Sequence, residues 1–319
     1  MRCLCFGSLN IDRVYTVDHM VRRGETLSSA ALHVNCGGKG LNQSVALARA
    51  GLPVCHAGRV GPDGAMLTDC LTAGAIGEDG RFLLEELEAA GVDTRRICIR
   101  PEERSGHAII QNDSAGDNCI LLYPGANRQI TPADAERVLE GFGAGDLLML
   151  QNEISSLDEI IEKAYRRGLR IALNPSPVDD ALLHSAALPL VDWLILNEIE
   201  GGQLTGETEP ERICDALLHR FPETAVVLTL GKQGAVYADR YLRCWQAAYP
   251  VTPVDTTAAG DTFSGYFLAA LLEGQTPQQA LRLAGRAAAL TICTPGAAEA
   301  IPARAQVEQA LRTEVRQSV

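Results

Sequence analysis

Positive charge is in short supply: the chain of 319 residues carries 28 Lys and Arg against 40 Asp and Glu, a formal net charge of -12. That deficit argues against a broad nucleic-acid surface or an anionic membrane as the main partner, while leaving room for a local phosphate site. No apolar run is long enough to cross a bilayer, and the opening "MRCLCFGSLN" enters a strand-like run without a signal core or a small-residue cleavage site. The expected location is the cytoplasm. There is no C-x-x-C pair for zinc; the 10 cysteines are scattered, only Cys3 and Cys5 sit close together, and the set reads as reduced, partly buried thiols. Cys36, beside a glycine pair, is the one thiol where a reagent would act by steric blockage. Two nucleotide fingerprints are also missing. No G-x-G-x-x-G occurs, which speaks against an NAD-dependent oxidoreductase, and His33 stands where a Walker A loop needs its first glycine.

What is present is material for a large α/β core, with 46% hydrophobic residues. Apolar runs recur as "RCLCFG" at the start, "DLLMLQ" at 146–151, "RIALN" at 170–174, "DWLILN" at 192–197 and "AVVLTLG" at 225–231. Their length and continuity predict buried parallel strands. Between them, segments such as Leu157 to Arg167 place apolar residues at helical spacing and end on Gly168. Repeated β-α units imply a doubly wound, mostly parallel sheet flanked by helices, expected as a single domain over 1–319.

A second texture interrupts the first. Residues 12–35 and about 97–123 alternate apolar and polar and carry turn signals such as "NDSAGDN", which predicts a small antiparallel β lid over the main body. "AGRVGPDG" (57–64) and "AGAIGEDG" (73–80) agree at five of eight positions. A local duplication and two similar strand-end turns explain that equally well, and no function is assigned to it.

Ligands of doubly wound sheets bind beyond the carboxyl ends of the strands. The residues following each apolar run are polar: Asn10 and Asp12, Glu153, Asn174, then Asn197, Glu198 and Glu200, then Thr229 and Gly231. Each alone fits a turn or a helix cap, but all of them on one edge suit a hydroxyl-rich or phosphorylated ligand. "CGGKGLNQ" (36–43) adds a glycine turn into a helix, where Gly37 and Gly38 permit close backbone approach and Lys39 and Asn42 supply donors. In "DTTAAGDTFSGYF" (255–267), small residues from Thr256 to Gly260 form a turn ahead of a helix expected from about Asp261 to Leu272. Free N–H groups there make an anion site, and Asp261 beside it is placed to take a proton from an attacking alcohol; the bland alternative is an acid favouring the helix dipole. Gly265 is expected to permit close helix packing.

Together, "GGKGLNQSVALARAG" and "DTTAAGDTFSGYFLAAL", with "GSLNID", "LNPSP", "LNEIE", "TLGKQG" and "GAAEAIP" in order between and after them, resemble the ribokinase-like (PfkB) family of carbohydrate and nucleoside kinases over nearly the whole chain. The resemblance implies ATP-dependent phosphorylation of a sugar's primary hydroxyl, with Asp261 as base and the backbone of Ala258, Ala259, Gly260 and Asp261 as anion hole. It implies sugar contacts from Asn10, Asp12, Gly38, Lys39, Asn42 and Glu153. Nucleotide and Mg²⁺ contacts would come from Asn197, Glu200, Thr229, Gly231 and Gly260. A potassium-site region is implied at Asp255, Thr257, Thr291, Thr294 and Gly296, although Ala300 stands where family members often place a serine that helps hold the cation. A homodimer through the lid is likewise implied.

Within the family, the retained polar set favours D-ribose, with another furanose, deoxyribose or a nucleoside as alternatives. Aromatic residues make up only 5% of the chain, which weighs mildly against a nucleoside, since aliphatic side chains also line base pockets. A catalytically silent sugar sensor using the same cleft is the reading from a different class, and an intact acid beside an anion hole weighs against it.

Overall fold

The computed structural model describes residues 1–63, 66–69, 74–113 and 117–317. The chain opens with β1 (Cys3–Phe6), β2 (Asn10–Thr16), β3 (Ala31–Gly37), α1 (Lys39–Arg49) and β4 (Val54–Val60). A hairpin of β5 (Met66–Asp69) and β6 (Gly74–Gly77) leads to α2 (Glu78–Ala89), β7 (Asp93–Ile99), β8 (Gly106–Asn112) and β9 (Asn118–Tyr123). Next come α3 (Pro132–Val138), β10 (Leu147–Gln151), α4 (Leu157–Arg166), β11 (Arg170–Asn174), α5 (Asp180–Leu183), β12 (Trp193–Asn197), α6 (Glu198–Thr205), α7 (Pro210–Arg220) and β13 (Ala225–Thr229). The last part holds β14 (Ala235–Ala238), β15 (Arg243–Gln246), α8 (Ala259–Leu272), α9 (Pro277–Thr291) and α10 (Arg304–Gln317).

Among the described residues, nine strands form one sheet in the order β15-β14-β13-β12-β11-β10-β1-β4-β7. The strands from β13 to β7 in that order pair in parallel, while β14 and β15 are antiparallel additions at one edge. The near-continuous apolar runs follow from helices covering both faces. Along β1, Cys3 and Cys5 enter a core with α1, α8 and α9, while Leu4 and Phe6 enter the opposite core with α3, α4 and α7. α4 is fixed by burying Leu157, Ile160, Ile161 and Ala164 on one side, with Asp158 and Glu159 in its first turn and Lys163 and Arg166 in its last, as the helix dipole favours. Every cysteine among the described residues is a free thiol.

The small sheet departs from the expected pattern in two ways. Its order is β3-β2-β8-β9, antiparallel at both outer ladders but parallel between β2 and β8. Both central strands leave the same edge of the large sheet, β2 after β1 and β8 after β7, so they run side by side in one direction. Residues 93–99, whose end overlaps the segment read as lid, pair with β4 in the large sheet; the small sheet takes only 106–112 and 118–123 from that segment. Of the similar octapeptides, Gly64 and Ala73 lie outside the described residues, as do residues 114–116 of the "NDSAGDN" turn.

One buried ion pair ties β4 to α3. Arg59 and Asp134, about 3% and 5% exposed, meet across the sheet edge, and Asp134 also accepts from Arg137 at 2.6 Å and closes a capping box with Thr131. Burial works against the Asp134 carboxylate, but the donors of Thr131 and Arg59 outweigh it and hold its pKa at about 2. Its contribution is therefore complete above the ordinary carboxylate pKa near ~4 and disappears as pH falls towards 2. Asp134→Ala, which leaves Arg59 buried and unpaired, is expected to lower the unfolding free energy by about 3–5 kcal/mol in urea denaturation at neutral pH. A loss under ~1 kcal/mol, the range of surface pairs, would show that the pair holds nothing together.

Candidate active site

The carboxyl ends of β1, β10, β11, β12 and β13 lie on one edge of the sheet, and α1 and α8 begin there. Gly38, at φ 93°, turns the chain from β3 into α1; a Cβ at this position would lie 3.0 Å from the Ser8 carbonyl and 3.1 Å from the Asn10 nitrogen. The start of α1 is thereby laid against the segment after β1. There the Gly40 N–H donates to Ser8 Oγ at 3.2 Å and the Leu41 N–H to the Ser8 carbonyl at 3.0 Å.

α8 begins two residues earlier than its pattern suggested, at Ala259, with Ala258 in the left-handed conformation at φ 59°. The Thr262 N–H donates to the Ala258 carbonyl at 2.8 Å, whereas the N–H groups of Gly260 and Asp261 meet no protein acceptor among the described residues. This is the open donor set expected of a helix start. Asp261, 8% exposed, accepts from Asn42 Nδ2 at 3.0 Å on one carboxylate oxygen and from Gln43 Nε2 at 2.9 Å on the other. The acid is therefore tied to α1, and its place is not that of a solvated helix-dipole residue.

Lys39, half-buried at the first position of α1, stands among carboxylates. Burial lowers its pKa, but Asp261, Glu153 and Glu200 together outweigh burial and raise it, so the ammonium stays charged. Glu153 accepts from the Lys39 N–H at 3.2 Å and from the Ser8 hydroxyl. Its pKa moves up because burial exceeds the counter-effect of Lys39. Asp12, half-buried on β2, is pushed up to about 7 by burial first and then by Glu153 and Glu299. Asn10 is aimed by Asn127, whose Nδ2 donates to Asn10 Oδ1 at 2.8 Å while its Oδ1 accepts from the Leu9 N–H at 3.0 Å.

Further along the edge, Asn197 and Glu200 form the capping box of α6: the Glu200 N–H donates to Asn197 Oδ1 at 2.9 Å and the Asn197 N–H to Glu200 Oε2 at 3.1 Å. Glu200 is buried, and its other oxygen has no protein donor among the described residues, which fits a cation held partly through water. Thr229 Oγ1 donates to the Leu196 carbonyl at 3.3 Å, holding the ends of β12 and β13 together, and Gly231 turns the chain at φ 50°. The Asp255 carboxylate accepts from the Thr257 N–H and hydroxyl at 2.9 and 2.6 Å and from the Gly296 N–H at 3.0 Å. Burial opposes the charge, but the Thr257 and Gly296 donors prevail, and Asp255 stays ionised below the usual carboxylate range. The two segments of the expected potassium region are thus tied together by a carboxylate, which fits a monovalent cation. Thr291 is different: its hydroxyl is buried and donates to Thr262 Oγ1 at 3.0 Å, so that side chain serves the contact of α8 with α9. No cluster of three or more His, Cys, Asp or Glu side chains able to hold a metal ion occurs among the described residues.

Four residues of this site carry no signal of their own in the sequence: Ser8, Gln43, Asn127 and Gln151. Ser8 and Gln43 sit inside the quoted motifs "GSLNID" and "CGGKGLNQ", and Gln151 ends an apolar run, but only the tertiary contacts give them work. Asn127 follows a Pro-Gly turn that the polarity of strand ends does not reach.

The pattern of the pfkB family of carbohydrate kinases matches residues 1–304. A ribokinase of Bacillus subtilis (strain 168) is 35% identical over 98% of this chain and 100% of its own. Among solved structures, the chain is similar to the ribokinase of Cryptococcus neoformans var. grubii serotype A in complex with ADP, with a TM-score of 0.81, 33% identity and coverage of 97% and 99%. It is also similar to the ribokinase of Arabidopsis thaliana complexed with ribose and ATP, with a TM-score of 0.81, 29% identity and coverage of 97% of both chains.

The tie between Asp261 and α1 depends on how near the two helices lie. A Cβ at Gly265 would sit 2.5 Å from Ala46 Cβ and 2.8 Å from the Leu47 nitrogen. Gly265→Val is expected to force α8 away from α1, lower stability by about 1–3 kcal/mol and depress the thermal midpoint. An unchanged midpoint would show that the helices do not abut at this residue.

Proposed function

This chain belongs to the pfkB family of carbohydrate kinases, and from that premise we propose that it transfers the γ-phosphoryl group of ATP to the primary hydroxyl of a pentose, D-ribose before other sugars. The observation that carries the proposal is the Asp261 carboxylate, buried, tied by two amides and set at a helix start where the Gly260 and Asp261 N–H groups are open. Asp261 takes the proton as the hydroxyl oxygen bonds to the γ-phosphorus; the bond to the bridging oxygen breaks and ADP leaves. The backbone N–H groups from Ala258 to Asp261 face the charge that spreads over the transferring oxygens.

Asn10, Asp12, Gly38, Lys39, Asn42 and Glu153 hold the sugar: the carboxylates accept from its hydroxyls, and Lys39 and the amides donate to its oxygens. Asn197, Glu200, Thr229 and Gly231 hold the nucleotide, with Gly260 beside its phosphates. Mg²⁺ bound with ATP offsets phosphate charge, and Asn197 and Glu200 are the residues that would hold it. A potassium ion would lie at Asp255, Thr257, Thr294 and Gly296, with Thr291 contributing through packing. The similarity to ribokinases at 35% and 33% identity supports ribose as the sugar. The enzyme is proposed to act in the cytoplasm; among the described residues no helix is long and apolar enough to cross a membrane.

ADP release measured with ATP and Mg²⁺ over D-ribose, 2-deoxyribose, other pentoses, hexoses and nucleosides, with and without K⁺, tests the reading. Ribose is expected to give the highest kcat/KM, and Asp261→Asn to cut kcat by about 10²–10⁴ while sugar still binds by calorimetry. Faster turnover of another compound would move the substrate and keep the mechanism. Sugar binding without turnover of any compound would replace the kinase by a sensor.

The small sheet supports a homodimer. β9 is exposed along its whole length, and Leu32, Val34, Ile109 and Leu121 lie in register on one face of that sheet with their apolar side chains exposed. A second copy of the same sheet would cover them. Sedimentation is expected to give a dimer that Leu121→Glu converts to monomer; a monomeric parent chain would refute it.

A further inference from the structure

Asn42 and Gln43 both bond to Asp261, yet what stands behind the two amides differs. Asn42 Oδ1 is buried without a partner among the described residues, so no second contact backs the end of that amide that faces the acid. Gln43 is backed on every side. Its Oε1 accepts from Gln151 Nε2 at 2.6 Å, and its Nε2 lies 2.9 Å from Asp261 and 3.5 Å from Asn174 Oδ1. Asn174 is itself fixed by donating its Nδ2 to the Ile195 carbonyl at 2.8 Å, which turns its oxygen towards Gln43. With two oxygens on one end and an N–H donor on the other, only one orientation of the Gln43 amide satisfies all partners.

Gln151 closes this chain from inside the sheet. It is the last residue of β10, with no exposed surface, and its Nε2 also lies 3.6 Å from Cys5 Sγ. Its own Oε1 is buried without a partner among the described residues and fills the space where a Cβ on Gly7 would come within 2.1 Å. A buried amide with an unpaired oxygen is unfavourable where an apolar side chain of similar size would pack, so stability alone gives no reason for a glutamine here.

We propose that Gln151, which has no exposed surface and touches no reacting atom, is a positioning residue: it fixes the Gln43 amide so that its N–H₂ group, and not its carbonyl, meets Asp261. Without that donor the Gln43 carbonyl loses its partner and the aim of the amide rests on Asp261 and the longer contact with Asn174 alone, so it loosens; an oxygen turned towards the acid repels the carboxylate and favours its protonated form. Gln43 and Gln151 then act as one unit on the aim and charge of the base. The inference rests on the assignment of Asp261 as the base.

The test is a double-mutant cycle of Gln43→Leu and Gln151→Leu on the full-length protein with ATP, Mg²⁺ and D-ribose, with Asp261→Asn alongside and Gln151→Met as a second variant should Gln151→Leu fail to fold. Gln151→Leu is expected to lower kcat about ten- to a hundredfold with the ribose KM within about twofold, as for loss of aim at a reacting group. The acid limb of its pH profile moves to higher pH, and in the Gln43→Leu background its loss adds nothing further. An unchanged kcat and pH profile, or losses that multiply independently with the acid limb in place, would overturn the inference while Asp261→Asn remains inactive. If Asp261→Asn keeps full turnover, the assignment of the base fails instead.

Discussion

Two bonds onto one carboxylate, from Asn42 and Gln43 to Asp261, join positions 219 and 218 residues apart in the chain, and they exist because α1 and α8 are pressed together where Gly265 has no side chain. The rest of the site follows from that contact. α1 delivers Lys39, Asn42 and Gln43 from its first turns, and α8 delivers Asp261 and the open N–H groups ahead of it. Both helices lie on the same core as the odd residues of β1, so the packing that stabilises the sheet also sets the distance between acid and amides. Close-packed interiors transmit small displacements, and a shift at Gly265 reaches Asp261 one turn away.

Charge gives the site its second character. Lys39 is surrounded by Asp261, Glu153 and Glu200, and Asp12 is close enough to Glu153 and Glu299 for its pKa to rise. Such a surplus of carboxylates suits the hydroxyls of an uncharged sugar, which donate to them. In the proposed reaction the transferring phosphate would meet instead the start of α8, so substrate and phosphate would be distinguished by which groups they meet along one sheet edge. The overall charge of -12 is thus compatible with the proposed anion site, which would be built from backbone dipoles.

The sheet was legible because buried parallel strands write themselves as apolar runs: "RIALN" is β11 to the residue, and "DWLILN" and "DLLMLQ" each exceed their strands by one. The polar residues after those runs fall on one edge of that sheet. The small sheet was less legible. Alternation reveals a strand but not its partner or direction, so the parallel ladder of β2 with β8 and the membership of β7 in the large sheet had to come from topology. Least legible were Gln43, Gln151 and Asn127. An amide at a strand end reads as a cap or a turn residue, and its actual work depends on partners more than a hundred residues distant. Thr291 shows the converse: a motif position whose hydroxyl is spent on helix packing.

Whether the junction of α1 and α8 delivers a phosphoryl group to a primary hydroxyl is read from the proton-coupled ³¹P spectrum of the product formed from ATP and D-ribose. Phosphorus esterified to the primary carbon couples to the two protons of that carbon, and a triplet pattern is expected in the product resonance. A doublet, from phosphorus on a carbon bearing one proton, or inorganic phosphate without a sugar ester, would contradict it.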